Sequence, residues 1–510
     1  MPPASDHDDS DLRGPPGAVW EGLRRFAKLP AWLDAGVRPD QVRIALIAAV
    51  PELADGTLTL ADCRVKRPRL DHGHWTATYL LTIREPGQPP HHVALSGHLY
   101  PLGPHPQGAA SAGGLSGGVH AFGAPDWRIW LPGLDLELRR EMPEATLPAL
   151  ADLTEPARGR RLIERAIRAG APAYRGIEIA ACTPTVLRQH LGRGGRATIA
   201  CQLTYPPSVD PGGRGWPSRV IAKVYADDNG RHAAAAMRAL WSAGLPPAVV
   251  TLAEPLAYLP DLRLLVQGSI PAEQTLDDLL RAALRADNDS ALAQGDAQAD
   301  AAVERTAAAL AALHSSGVGR GPRVTVEHEL DGLAALSGRL AELVPELDGA
   351  ADALLGWARA LATRAPADPA VPTHRSFHPG QVLLHQGRVG IIDFDDLCQA
   401  EPALDVAQFR ATTKYLALAV PRPRTRSDAA TASEDVTTRL GRLAAASQVC
   451  DRFQRRYAEV APVSAERVAL WETLHLFTYV LHCWTGVRPH RLHATMFLLG
   501  HHLLASGMAA

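Results

Sequence analysis

The sequence predicts an α+β chain in which a small β-rich lobe precedes a large, mainly helical lobe, with a further α+β domain in front of both. Three observations carry this. Two blocks in the first half alternate apolar and polar residues: HWTATYLLTI (74–83) with HVALSGHLY (92–100), and GRATIACQLTY (195–205) with SRVIAKVY (218–225). From residue 228 onward the spacing of apolar residues is mostly helical. Within that helical half one stretch breaks the pattern, THRSFHPGQVLLHQGRVGIIDFD (373–395), with a polar loop, an apolar run, a turn and a second apolar run ending in acids.

Taken in order, MPPASDHDDSDLRGPPGA is polar and proline-rich, and residues 1–18 read as a disordered tail. Residues 19–49 have helical spacing through Leu23, Phe26, Leu29 and Leu33. The first strand pair follows, joined by the turn EPGQPP (85–90), then a Gly/Ala/Ser-rich loop (107–119) and a short strand at 127–131. A helix at 160–170 leads into the second strand pair, which brackets a Pro/Gly loop (206–217). Residues 228–244 form a helix with a glycine stop, 261–270 a strand, and 275–284 a helix. A polar low-complexity link (286–300) precedes helices at 304–317, 332–344 and 351–365. An exposed loop at 421–435 separates the motif region from a helical C-terminal part. The expected domains are therefore 19–165, a small lobe at 166–270 and a large lobe at 271–510. The two strand blocks have a similar layout, in which His98 aligns with Lys223. A degenerate second copy of the small lobe is one reading of 19–165; a chance likeness of two amphipathic hairpins is the other.

Bulk properties narrow the function. The 510 residues carry a net charge of −2, which gives no pull toward nucleic acid or anionic membrane. The six cysteines are scattered without a CxxC pair, which argues against a disulfide framework and for a reducing compartment. The 21 histidines lack HExxH spacing. The N-terminus lacks the charge and apolar run of a signal peptide, and no apolar run reaches the roughly 18 residues a membrane helix needs. A cytoplasmic protein is expected.

Several residues suggest chemistry. Lys223 lies mid-strand in VIAKVY, either as a point charge for phosphate or as an ordinary lysine on the open face of a strand. The turn LGRGGRATIA before it holds Gly192, Gly194 and Gly195, whose backbone would allow close approach of phosphate, with Arg196 adding charge; an ordinary hairpin turn is the alternative. Asp393 ends the run RVGIID and suits Mg²⁺, which takes hard oxygen donors; Asp395 and Asp396 crowd beside it. Gln381 offers an amide oxygen as a second ligand, and His374 and His378 either act in the site or brace its loop. Asp405 reads as a helix-start acid or a loop anchor.

Together these residues resemble the aminoglycoside phosphotransferase/choline kinase family, which has the protein-kinase-like bilobal fold. The family's loop, approximately HGDxHPGN, corresponds to His374-Arg375-Ser376-Phe377-His378-Pro379-Gly380-Gln381; IIDFDDLCQAEPALDVAQF resembles IDFxxxxxGDPxxDLA; and ALAALHSSG, with His314, resembles the helix end upstream. The resemblance covers about residues 182–500. It implies ATP and Mg²⁺ as cofactors, phosphate binding by Lys223, metal binding by Asp393 and Gln381, a hinge beside the adenine at LLVQGSI with Gln267, and His374 and Ser376 at the catalytic position. It also implies a hydroxyl-bearing small molecule as acceptor. Two departures stand out. Ser376 replaces the loop aspartate, and the helix after the lysine strand has no glutamate to pair with Lys223. Two functions follow: a phosphotransferase, or a pseudokinase that binds nucleotide or a protein partner through its N-terminal domain. Asp451, Glu459 and Glu472 are candidates for an acidic acceptor pocket, with an exposed helix face as the alternative for each.

Overall fold

The computed structural model describes residues 17–71, 73–101, 127–140, 147–190, 195–213, 215–284, 289–418 and 436–506. The expected tail up to residue 16, the Gly/Ala/Ser-rich loop, the loop 421–435, and Gly192 and Gly194 lie outside them. The chain forms two compact units, one of residues 1–142, 327–363 and 473–510, the other of 143–326 and 364–472.

The first unit opens with α1 (Ala18–Leu23), α2 (Ala31–Val37), α3 (Pro39–Ala49) and α4 (Pro51–Ala54). The helical spacing of 19–49 is therefore cut into pieces rather than one helix. Pro30 caps α2 and Pro39 opens α3, because proline starts a helix more readily than it continues one. A five-stranded antiparallel sheet follows: β1 (Thr59–Asp71), β2 (His74–Arg84), β3 (His91–Leu99), β4 (Arg128–Leu131) and β5 (Leu136–Arg139), in the order β1-β2-β3-β5-β4. One face is apolar, with Trp75, Tyr79, Leu81, Ile83, Leu95, Leu99 and Leu136 buried. Within the same unit Trp75 donates to the carbonyl of Trp484, and Trp484 to that of Phe26.

In the second unit α5 (Leu150–Thr154) and α6 (Pro156–Gly170) precede a second five-stranded sheet. Its strands are β6 (Ala181–His190), β7 (Arg196–Thr204), β8 (Arg219–Tyr225), β9 (Pro255–Leu259) and β10 (Leu264–Gly268), in the order β6-β7-β8-β10-β9. Leu162, Ile163, Ala166 and Ile167 of α6 pack with Ile199, Cys201, Val220, Ala222, Val224, Leu264 and Val266 of the sheet. The approach is close at Gly170, where a Cβ would lie 2.4 Å from the carbonyl oxygen of Leu256. The opposite face therefore carries Arg196, Thr198, Lys223, Tyr225, Leu265 and Gln267, since side chains alternate across a strand.

The two sheets agree beyond strand order. His98 pairs with Thr76 on one side and Glu137 on the other; Lys223 pairs with Thr198 and Leu265. Each fourth strand ends in a Leu-Pro-x-Leu corner followed by a left-handed residue, Asp135 (φ 47°) or Arg263 (φ 45°). In both, the tyrosine two residues past the His98/Lys223 position donates its N–H to that residue's carbonyl: Tyr100 to Asp135 at 3.2 Å and Tyr225 to Arg263 at 3.1 Å.

The rest of the second unit is mainly helical: α7 (Asn229–Ser242), α8 (Leu276–Ala283) after the two-residue strand β11 (Gln274–Thr275), α9 (Asp289–His314), α12 (Ala403–Leu418), α13 (Val436–Val460) and the start of α14 (Ala465–Thr485); α10 (Val326–Leu343) and α11 (Asp352–Arg364) fall almost wholly in the first unit. Helix α8 has a capping box between Thr275 and Asp278. The low-complexity link at 286–300 is mostly helix, because α9 starts at Asp289. Its alanine, leucine and glutamine favour helix despite the polar composition. Among the described residues no helix is long and apolar enough to cross a membrane.

Candidate active site

The motif stretch folds as a set of short pieces. Strand β12 (Val371–Thr373) pairs with β15 (Cys398–Ala400), so the loop leaving Thr373 lies beside the segment arriving at Cys398. Between them β13 (Val382–His385) and β14 (Arg388–Ile391) form a hairpin. Its turn residues Gln386 (φ 46°) and Gly387 (φ 73°) both take the left-handed conformation that tight two-residue turns require. Val382 sits opposite Ile391, which sets Gln381 and Asp393 side by side at the open end.

Asp393, at φ 74°, aims its carboxylate at the second sheet, where Lys223 Nζ lies 2.5 Å from Oδ1. The same ammonium reaches Asp395 Oδ1 at 2.9 Å. Arg196 donates to Asp395 at 3.3 Å and the Tyr225 hydroxyl lies 3.1 Å from it. Gln381 Nε2 donates to Asp393 Oδ2 at 3.2 Å. The cluster thus joins Arg196, Lys223 and Tyr225 of the sheet to Gln381, Asp393 and Asp395 of the hairpin. Gln267 lies on the same sheet face as Lys223, two positions along β10 from Leu265.

The charges in this cluster are unequal. Burial alone would raise the Asp393 carboxyl, but the charge and hydrogen bond of Lys223, with Arg196 and His374 adding to them, hold it well below the usual carboxylate range. Burial pushes the Asp395 carboxyl up; Lys223 opposes this and the neighbouring Asp393 reinforces it. Burial would lower the Lys223 ammonium, and the two carboxylates, Asp395 foremost, more than offset it. Asp393 is therefore the firm anion of the pair.

The loop before the hairpin hangs on Asp405, a fully buried residue in the first turn of α12. Its carboxylate accepts the backbone N–H of His374 at 2.6 Å and that of Arg375 at 2.8 Å. His314 Nε2 lies 3.1 Å away, and the other nitrogen of that ring is 2.7 Å from the Tyr457 hydroxyl. Asp405 is thus the loop anchor of the two sequence readings. His374 is buried, with Nε2 at 2.9 Å from the Ile392 carbonyl and Nδ1 at 3.2 Å from Ser376 Oγ. His378 Nδ1 accepts the N–H of Gly380 at 3.0 Å, so it braces the loop; burial, and then the nearby His374, lower its pKa and keep it a neutral acceptor.

Arg375 stands where the resemblance expects glycine, and its φ of 67° explains that preference. A left-handed non-glycine residue costs about 1–2 kcal/mol. Replacing Arg375 with valine, whose branched Cβ tolerates this region least, is expected to destabilise the chain by more than Arg375→Gly does. Chemical denaturation of both variants checks the order.

Sequence reasoning missed two parts of this site. Asp395, in the sequence one of three crowded acids, completes the hold on Lys223, which α7 leaves without a glutamate; α7 packs against residues 394–396. Tyr225 carried a legible signal, since it lies two residues from Lys223 on the same face. The acidic acceptor-pocket candidates fare differently. Glu472 is buried, not on an exposed face, and binds Arg410 and Lys414 at 2.7 and 2.5 Å. Asp451 binds the same Arg410 at 2.9 Å, and Glu459 pairs with Arg456 at 2.7 Å.

A β-rich lobe facing a helical lobe, with a strand lysine meeting the acid that ends a central hairpin, defines a protein-kinase-like fold of the phosphotransferase type. Residues 212–413 match the model of the phosphotransferase enzyme family. Solved structures similar to the chain include a glucosamine kinase in complex with glucosamine, ADP and inorganic phosphate, at 16% identity over 90% of this chain and 98% of that one, with a TM-score of 0.40. Choline kinase LicA from Streptococcus pneumoniae matches at 14% identity over 68% of this chain and 98% of that one, TM-score 0.40. The ADP-bound aminoglycoside phosphotransferase APH(2'')-Ib matches at 13% identity over 65% and 97%, TM-score 0.41. No curated protein matches the chain in sequence.

Proposed function

We propose that the chain transfers the terminal phosphoryl group of ATP, with Mg²⁺, to a hydroxyl of a small molecule. The observation that carries this reading is the meeting of Lys223 and Asp393, 170 residues apart, at 2.5 Å. Asp393 and Gln381 would hold Mg²⁺. Their carboxylate and amide oxygens are hard donors, and the firmly ionised Asp393 supplies the charge. Among the described residues no group of three or more His, Cys, Asp or Glu is gathered for a metal. Mg²⁺ held by these two would take its remaining positions from phosphate oxygens and water. When bound, the ion neutralises phosphate charge. Lys223 would leave Asp393 to hold phosphate oxygens, while Asp395, itself held by Arg196 and Tyr225, keeps the ammonium in place. Arg196, on the same sheet face as Lys223, would add charge toward the phosphates, and Gln267 of that face would lie on the adenine side.

The N-terminal sheet supports a reading as a second, degenerate copy of the nucleotide-lobe sheet. In the matched positions His74, His98 and Tyr100 stand for Arg196, Lys223 and Tyr225. It lacks the lysine, so its role on this reading is to present a surface to a protein partner. Six buried cysteines with no disulfide support a cytoplasmic setting.

A pseudokinase is the second reading, favoured by Ser376 at the position of the loop carboxylate. A panel of small hydroxyl compounds, sugars and amino sugars included, separates the two by ADP release from Mg-ATP. The expected result is acceptor-stimulated release. Mg-ATP binding without release for any acceptor would favour the pseudokinase.

A further inference from the structure

We propose that Ser376 and His374 together replace the missing loop carboxylate, the serine hydroxyl relaying the acceptor's proton to the imidazole. The inference rests on the phosphotransferase reading and adds the route of the proton to it.

The hydrogen-bond roles follow from chemistry. The Ile392 carbonyl, 2.9 Å from His374 Nε2, can only accept, so Nε2 carries the hydrogen. In a neutral ring Nδ1 then holds a lone pair. Its partner is Ser376 Oγ at 3.2 Å, which must donate to it. That leaves the serine lone pairs turned away from the ring and able to accept a hydrogen from an incoming hydroxyl. A serine alone is a poor base at neutral pH; a serine already donating to a buried imidazole has somewhere to send its proton.

The surroundings hold this geometry. Asp405 fixes the backbone of His374 and Arg375. The His374 ring lies between Phe377 and Phe394, at centroid distances of 5.8 and 5.0 Å. In the step itself the acceptor O–H gives its proton to Ser376 Oγ as the Oγ–H passes to His374 Nδ1. The acceptor oxygen bonds to the γ-phosphorus, and the bond from that phosphorus to the β–γ bridging oxygen breaks, its electron pair leaving with ADP. After release the proton returns through Ser376 to solvent.

The test uses the full chain with Mg-ATP, water or a hydroxyl compound serving as acceptor, and Mg-ADP as the binding probe. Ser376→Ala is expected to lower kcat by about 10²-fold or more with Mg-ADP affinity unchanged, while Ser376→Thr, which keeps the hydroxyl, recovers most of the loss. His374→Gln is expected to cost far more in the wild-type background than beside Ser376→Asp, where the carboxylate takes the proton itself. A readout without nucleotide is the ¹⁵N spectrum of selectively labelled histidines, with the His374 signals identified by their loss in His374→Gln. Nδ1 should be the unprotonated nitrogen, and its signal should move toward that of a free lone pair in Ser376→Ala. The hydrogen on Nδ1, wild-type turnover in Ser376→Ala, or Mg-ADP binding with no turnover in wild type overturns the relay and leaves nucleotide binding standing. Absence of Mg-ADP binding overturns the phosphotransferase reading and the relay with it.

Discussion

Asp393→Ala is expected to abolish the rise in melting temperature that Mg-ATP gives the wild-type chain. A ligand at about 100 times its dissociation constant stabilises the folded state by about 2.7 kcal/mol. The substitution removes the firmly ionised donor of the site and one of the two carboxylates on Lys223. It leaves Asp395 on Lys223 at 2.9 Å, so the sheet and hairpin remain joined without ligand. The expected signature is therefore a nearly unchanged melting temperature without nucleotide and a lost shift with it. A retained shift would remove Asp393 from the site. Acid should act on the two carboxylates in opposite senses. Asp393 is depressed in the folded chain, so its contribution is complete above the ordinary carboxylate value and is lost only as pH falls through its low folded value. Asp395 is raised, so it protonates earlier on acidification than an exposed carboxylate, leaving Lys223 to Asp393.

How much of this was legible varies with the physics of each part. The hairpin carrying Asp393 could be read because its two runs are apolar and its Gln386-Gly387 turn is a local signal. The second-sheet strands β7 and β8 could be read because one face is buried and the other open. The edge strands β1 and β6 could not. Their burial alternates weakly, each contains a proline, Pro68 or Pro184, and edge strands tolerate proline because one side of the ladder is unused. Strand β5 is four residues long, too short to show a period. The hold of Asp395 on Lys223 was hidden for a different reason. It joins residues 172 positions apart, and only the folded register brings them together. The resemblance pointed to a glutamate on α7, and the chain meets that need from the acidic turn instead. The likeness of the two sheets shows in the sequence only as a likeness of two hairpins. The matched corners at Asp135 and Arg263 and the paired tyrosine hydrogen bonds are backbone facts that side-chain pattern does not carry.

Asp405→Ala is expected to release the loop that bears His374 and Ser376. The carboxylate is fully buried and serves three donors: two backbone N–H groups and the His314 ring. Removing it leaves those donors in a site closed to water, at about 1–3 kcal/mol for each that finds no new partner. A total of roughly 3–5 kcal/mol is expected, as for other buried networks broken at one member. Because the chain has two compact units, global unfolding is a blunt measure; amide hydrogen exchange of residues 374 and 375 reads the loop directly. Exchange at both amides should quicken by about 10²-fold or more, with β7 and β8 unchanged. Asp405→Asn keeps one carbonyl oxygen but turns an N–H₂ toward a donor, so it should fall between wild type and alanine. Turnover should follow the loop rather than the fold. The Lys223–Asp393 contact does not pass through Asp405, so Mg-ATP binding should persist where transfer is lost. If binding and loop exchange fail together in Asp405→Ala, Asp405 supports the whole lobe rather than the position of Ser376 and His374.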